Sequence, residues 1–252
     1  MEAFYQSLLG LSIIDRTSSV SRLGAGGVAF LELEHRPGLK PDDKRTEEEK
    51  VTELFLWVFS RKPTKDDLGA AVEDGVELVI AVDCGTADRA RVEEARDAGI
   101  LVGIVDHHAV PSEPARAEWL VNPNRMDSTY PFPKLAGSGL AFKIAQGILA
   151  DHPDRRALLG ELSVLAMIGG IADMVPVADE FRVIVRSALK VMNGAGPMPV
   201  GITALLRAAG AEPPYRAEVS GFTIAPRINA AGRIGDAAPA LALLPTDDPA
   251  EA

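Results

Sequence analysis

Apolar runs alternate with charged amphipathic stretches from about residue 65 onwards. The segments 77–82 and 100–105 are nearly continuous apolar runs rich in β-branched residues, which is typical of strands buried on both faces. Between them, residues 87–98 have the spacing of an amphipathic helix that ends at Gly99. A further helix is predicted over 66–73. This short alternation favours a parallel α/β sheet with right-handed crossovers.

Helical patterns dominate the rest of the chain. A short strand is predicted near 119–122, and helices are predicted over 140–150, 155–171, 181–192 and 200–209. We therefore expect an α/β fold, with a parallel-sheet domain at 65–195 that has helices on both faces. A helical connector at 196–252 follows as part of the same domain. Residues 1–64 form an atypical N-terminal segment, in which residues 12–15 resemble a short strand ending in an acid.

Metal-capable side chains follow both predicted strands. Asp83 comes after the first, and Asp106, His107 and His108 come after the second. Neighbouring parallel strands lie about 4.8 Å apart and end at one edge, so these side chains can share a cation. Carboxylates with imidazoles suit manganese, iron or zinc. The alternative is a solvated turn in which Asp83 precedes Gly85 and the histidines hydrogen-bond locally.

Further candidates lie downstream. Asp173 follows a long apolar stretch, so it is either an exposed helix cap or is paired with a cation. Arg227, Asn229 and Arg233 occur in an otherwise apolar segment. Arginine suits bidentate phosphate recognition, but hydrogen bonds from these arginines to backbone carbonyls fit the pattern equally well.

Composition narrows the function classes. The 252 residues carry a net charge of −10, which argues against a generally basic nucleic-acid surface but not against a local basic groove. Aromatic residues make up 5%, so no broad base-stacking platform is expected. The single cysteine, Cys84, excludes an internal disulfide framework and fits a reducing cytoplasm. No signal peptide and no membrane span are expected.

Five motifs occur in the order and spacing of a known family: Val82-Asp-Cys-Gly85, Asp106-His-His108, Leu135-Ala-Gly-Ser-Gly139, Gly170-Ile-Ala-Asp-Met-Val-Pro176 and Pro226-Arg-Ile-Asn-Ala-Ala-Gly-Arg233. The chain resembles the DHH phosphoesterase superfamily, and within it the RecJ-type single-strand-specific exonucleases. The resemblance implies a hydrolase that binds manganese or magnesium, often two ions. It also implies degradation of single-stranded DNA from the 5′ end to mononucleotides, in DNA repair and recombination.

The resemblance also implies roles for individual residues. Asp83 resembles a bridging metal ligand, and Asp106 belongs to the catalytic motif. His107 and His108 resemble contributors to the metal shell, and Asp173 resembles the last ligating acid. The implied contacts to substrate phosphate, or else structural roles, fall on Arg227, Asn229 and Arg233.

Two features of the family are not found. Its first motif, of the Asp-Tyr-Asp-Ala-Asp-Gly type, does not occur in residues 1–64. Its C-terminal substrate-binding domain is also missing, so the chain resembles a fragment or degenerate copy. We therefore expect one metal position to be weakened and activity to be low. The alternatives are a catalytically silent scaffold, or a phosphodiesterase acting on short oligonucleotides or cyclic dinucleotides.

Overall fold

The computed structural model describes residues 12–17, 20–25, 28–34, 78–234, 238–244, 246, 248–250 and 252. The chain divides into two compact units, Met1–Glu53 with Lys62–Pro133 and Leu54–Arg61 with Lys134–Ala252. The helix predicted over 66–73 lies outside the described residues. The domain boundaries predicted above stay a prediction.

The first described segments of the chain form an antiparallel sheet. Its strands are β1 (Ser12–Thr17), β2 (Val20–Ala25) and β3 (Val28–Glu34), in that spatial order. The predicted strand at 12–15 is present, but it continues to Thr17. Asp15 therefore pairs with Arg22 inside an antiparallel ladder, next to a register shift, and does not end a strand.

The first unit also contains a parallel sheet. Strand β4 (Leu78–Val82) is followed by helix α1 (Arg89–Asp97), β5 (Leu101–Val105) and β6 (Trp119–Val121). Strand β5 lies in the middle and pairs in parallel with both neighbours. The predicted α/β fold with a parallel sheet is confirmed. The central strand β5 is buried from Val102 to Val105, as predicted, whereas β4 beside it is only half-buried over most of its length.

A small core fixes helix α1 against this sheet. Val92 and Ala95 of the helix pack with Val102 and Ile104 of the central strand, and all four are at most 5% exposed. Burial of each large side chain contributes about 1.5–3 kcal/mol, which outweighs the weak surface ion pairs of the helix. The sheet's carboxyl edge is therefore held on a packed layer.

The central strand needs a glycine opposite a tryptophan. Gly103 is the register partner of Trp119 on the neighbouring strand. A Cβ at Gly103 would lie 2.1 Å from the indole ring, so any larger residue would displace Trp119. The glycine thus lets the indole lie across the strand and sets the register of the sheet.

The second unit is helical in its described part. Its helices are α2 (Gly137–Ile148), α3 (Arg155–Ala172), α4 (Asp179–Lys190), α5 (Val200–Ala208), α6 (Ala225–Ile234) and α7 (Ala238–Leu243). The four helices predicted downstream of residue 135 are therefore present, with shifts of up to three residues at their ends. No helix among the described residues is long and apolar enough to span a bilayer.

Two adjacent glycines allow helix α3 to be approached closely from two sides. A Cβ at Gly169 would lie 2.5 Å from Ser138 Oγ of α2. A Cβ at Gly170 would lie 2.4 Å from the ring of Phe181 in α4, a side chain with no exposed surface. Gly169 and Gly170 therefore serve close packing of α3 against α2 and α4.

Candidate metal centre

Asp83 lies directly after strand β4. Its backbone N–H donates to the Val105 carbonyl at 2.8 Å, which extends the ladder between β4 and β5 by one bond. Its φ of +64° is in the left-handed region, which aspartate tolerates better than most residues. This conformation turns the chain sharply at the sheet edge, and the carboxylate is 39% exposed.

Asp106 follows strand β5 and is 1% exposed. Its Oδ2 accepts the backbone N–H of Thr86 at 3.1 Å. Its Oδ1 accepts the backbone N–H groups of His107 and His108 at 2.8 and 3.2 Å, and contacts His108 Nδ1 at 2.7 Å. The carboxylate is therefore an internal acceptor that shapes the loop carrying both histidines.

The environment of Asp106 favours its ionised form. Burial by itself would raise the pKa of this carboxyl. Hydrogen bonds from the side chains and backbones of Thr86 and His108 outweigh burial and lower the pKa to about 2. A permanently ionised carboxylate can hold the Nδ1–H tautomer of His108, which leaves the Nε2 lone pair for a metal.

The two imidazoles lie beside Asp83. His107 Nε2 is 3.0 Å from Asp83 Oδ1, and its side chain is 18% exposed. The centroids of the two rings are 4.6 Å apart, and the His108 side chain is 61% exposed. One ligand atom from each of Asp83, His107 and His108 lies within 4.8 Å of the other two. Strands β4 and β5 thus bring together the residues predicted to meet at this edge.

Three residues that the sequence reasoning did not assign to the site hold its loops. The Asn122 side chain, 4% exposed, donates to the His108 carbonyl at 2.9 Å and to Thr86 Oγ1 at 3.0 Å. Asn122 Oδ1 accepts the backbone N–H of Asn124, whose side chain donates to the His107 carbonyl. An asparagine at the end of the short strand β6, before a proline, was the available signal.

The donor set fits a divalent cation. Oxygen and nitrogen ligands bind at about 2.0–2.2 Å from such an ion, so ligands on opposite sides are about 4 Å apart. The three ligand atoms lie within 4.8 Å of one another, which is close enough for a single ion to contact all three. One carboxylate with two imidazoles fits manganese better than magnesium, which prefers oxygen.

Asp173 lies in the second compact unit. It is the residue at which helix α3 ends, and its backbone N–H donates to the Gly169 carbonyl at 2.9 Å. Its side chain is exposed, as expected if Asp173 is an exposed helix cap. Asp173 as a metal ligand stays a prediction.

The predicted phosphate-binding residues lie on helix α6. A wide helical turn (Ser220–Ile224) precedes this helix, just before Pro226, whose missing N–H and bulky ring disfavour regular helical spacing. Arg227 and Asn229 are exposed and lie on different sides of the helix, because residues two apart differ by about 200°. Arg233 lies on the same helix, and its side chain is outside the described part.

Arg227 also makes a local contact. Its Nη1 donates to the Thr223 carbonyl one turn earlier at 2.8 Å. This is the backbone-bonding role that the sequence reasoning held open. The other donors of an exposed guanidinium can still serve a ligand, so the phosphate role of Arg227 stays a prediction.

Comparison with known proteins places the chain in a family. The model of the "DHH family, N-terminal domain" matches residues 12–170. The chain is 38% identical over 191 residues to the single-stranded-DNA-specific exonuclease RecJ of Bacillus subtilis, and 36% identical over 188 residues to that of Escherichia coli. These matches cover 75% and 71% of this chain but 23% and 32% of the relatives. The chain therefore spans about a quarter to a third of the length of these curated relatives.

Two solved structures resemble the fold. One is the crystal structure of RecJ in complex with Mn²⁺ from Thermus thermophilus, with 29% identity and a TM-score of 0.64. The match covers 81% of this chain and 31% of that one. The other is the crystal structure of exonuclease RecJ bound to manganese, with 28% identity and a TM-score of 0.65. That match covers 80% of this chain and 55% of the other.

Proposed function

Because the chain belongs to the DHH family, we propose that it carries the metal centre of a manganese-dependent phosphodiesterase of the RecJ type that acts on single-stranded DNA. The observation that carries this proposal is the cluster of Asp83, His107 and His108 at the carboxyl edge of a parallel sheet. Ligand sites of such sheets lie beyond the carboxyl ends of the strands. The relatives named RecJ and the manganese-bound structures support the substrate and the metal.

Each described residue of the metal centre would have its own role. Asp83 and the two imidazoles would hold the cation, and Asp106 would orient His108 through Nδ1. A bound divalent cation supplies Lewis-acid neutralisation of phosphate charge and makes water more acidic. Asn122 and Thr86 would keep the two loops at the separation that the ligands need.

Residues of the second unit would take the roles that the family resemblance implies. Asp173 would add a carboxylate ligand, and Arg227, Asn229 and Arg233 would contact phosphates of the strand. The function would be hydrolysis from the 5′ end in DNA repair or recombination. A protein that acts on cellular DNA and has a single cysteine fits the cytoplasm.

Titration calorimetry with MnCl₂ on the whole chain tests the metal centre. We expect stoichiometric binding that His107→Ala weakens at least tenfold, because the imidazole is one of three clustered donors. Asp127→Ala, which removes an exposed carboxylate bonded to Arg125, is the matched control and should leave binding unchanged. Equal affinity in all three proteins would contradict the proposed site.

A nuclease assay tests the reaction. A 5′-phosphorylated single-stranded oligonucleotide is incubated with the chain and Mn²⁺, and mononucleotide release is followed. Release should stop on chelation and fall strongly in His107→Ala. Tight Mn²⁺ binding with no hydrolysis of single-stranded DNA would contradict the proposed activity and favour a binding role.

A further inference from the structure

A second chemically distinctive feature is a cavity in the helical unit. It has a volume of about 960 Å³ and lies among helices α2, α3 and α4. Its size is at the upper end of the range of about 300–1,000 Å³ that is usual for small-molecule sites. None of the candidate metal ligands lines it.

The cavity has a positive lining in an acidic chain. Four cationic side chains line it: Lys143, Arg155, Arg156 and Lys190. Two carboxylates, Asp154 and Glu180, face them. Lys143 Nζ lies 2.6 Å from Glu180 Oε1 with only 8% of its side chain exposed, so these two charges compensate each other. Three cations and one carboxylate remain, whereas the whole chain carries −10.

Arg155 indicates that the cavity suits an anionic ligand. Its Nε is buried and has no hydrogen-bond acceptor within the part of the chain that the structure describes. Leaving a charged donor buried without a partner is energetically costly. Arg155 lines the cavity, so the other nitrogens of its guanidinium can donate to an oxyanion there.

Apolar side chains form the rest of the wall. Phe142 and Ile184 lie at its buried base, while Val183 is 67% exposed along the rim. Leu159 and Val191 add aliphatic surface between them. A ligand that fits both parts has an anionic end and a weakly polar body large enough to cover this wall.

We propose that this cavity binds a phosphate monoester with a nucleoside-sized body, with its phosphate at Arg155 and Arg156. A guanidinium presents paired donors to a tetrahedral oxyanion, and the apolar wall provides a surface for a planar base. No metal takes part. The inference therefore goes beyond the proposed phosphodiesterase site and does not depend on it.

Calorimetric titration of the whole chain with 5′-deoxyadenosine monophosphate, in EDTA, tests the proposal. We expect saturable binding that Arg155→Gln weakens about tenfold or more, because a charge-assisted hydrogen bond is lost. Arg182→Gln is the matched control: Arg182 is exposed on α4 and does not line the cavity. Lys190→Gln, at the exposed edge, should weaken binding several-fold.

Several outcomes would overturn the proposal. These are no binding of the mononucleotide at millimolar concentration, an equal loss in Arg182→Gln, or a loss in Asp83→Asn under chelation. Inorganic phosphate should bind more weakly than the mononucleotide, and equal affinity would remove the role given to the apolar wall. Melting curves of each variant show that it is folded. Normal binding by a folded Arg155→Gln variant would also overturn the proposal, because the phosphate is placed at Arg155.

Discussion

The sheet edge that carries Asp106 and the helix that carries Arg227 differ in how firmly their side chains are held. Asp106 is 1% exposed and accepts four hydrogen bonds from three residues. Arg227 is exposed and donates a hydrogen bond to a backbone carbonyl one turn earlier. The first region is fixed by its hydrogen bonds, whereas the second carries an exposed side chain with one local contact. Substitutions in the two regions should therefore affect different measurements.

The largest effect is expected from Asp106→Ala. It removes the acceptor of three backbone N–H groups, so the free energy of unfolding should fall by about 3 kcal/mol or more. Mn²⁺ affinity should also fall at least tenfold, because His108 loses the group that orients it. Urea unfolding and calorimetry measure the two effects.

Asp106→Asn separates the two roles of this residue. The amide keeps an acceptor oxygen but can present a donor to His108 Nδ1, so a loss of Mn²⁺ affinity with a smaller loss of stability is expected. A fully stable Asp106→Ala variant would contradict the preorganised picture of the sheet edge.

Asn122→Ala should have the second largest effect. Its buried amide joins the loop of Thr86 to the loop of His108, and its removal leaves the His108 carbonyl and the Asn124 N–H without this partner. We expect a loss of about 1–3 kcal/mol in the free energy of unfolding and a weaker loss of Mn²⁺ affinity.

Asn124→Ala is the control for Asn122→Ala, with a smaller expected loss in the free energy of unfolding. Asn124 is exposed, and its side chain donates to the His107 carbonyl. Its loss should cost less than about 1 kcal/mol. If the two variants were equally stable, the network would not be what holds the two loops together.

The two regions also differ in how much the sequence could predict. Apolar β-branched runs predicted β4 and β5, and parallel pairing then required Asp83 and His107 to meet, as the 3.0 Å contact shows. Asn122 could not be found this way, because its partner Thr86 is 36 residues distant and neighbours it only once three strands are paired. The asparagine before a proline marks the end of β6, but a local pattern does not indicate which distant residue it contacts.

Two further features were not predicted from the sequence. They are the pairing of strands β1, β2 and β3, and the separation of two candidate residues around helix α6. Strand β2 contains Gly24, and neither β2 nor β3 alternates strictly between apolar and polar residues, so their pairing with β1 was not predicted. On α6, Arg227 and Asn229 were grouped as phosphate contacts by their chemistry and by the family resemblance. The helix separates them by about 200°, which their spacing could have indicated once a helix was assigned.

His107→Ala separates metal affinity from folding stability at the sheet edge. The side chain is 18% exposed and contacts Asp83, so its loss should lower the free energy of unfolding by about 1 kcal/mol, which is less than the loss in Asp106→Ala. Mn²⁺ affinity should nevertheless fall at least tenfold. His152→Ala, a histidine in the other unit whose Nδ1 accepts the Asp154 N–H, is the control that should leave Mn²⁺ affinity unchanged. Thermal melts with and without Mn²⁺ would show the difference as a lost metal-dependent shift.

The smallest effect is expected from Arg227→Gln. An exposed arginine with one local contact contributes about 0.5 kcal/mol or less to stability, so melting should be unchanged. If it contacts a phosphate, affinity for a single-stranded oligonucleotide should fall several-fold, and the slope of log K against log salt should become shallower by about 0.7. Arg207→Gln, an exposed arginine at the end of α5, is the control for general charge. Equal losses in both variants would show that only overall charge matters.

Because Arg227 and Asn229 face different sides of the helix, their effects should add if each meets its own phosphate, and a double mutant measures this.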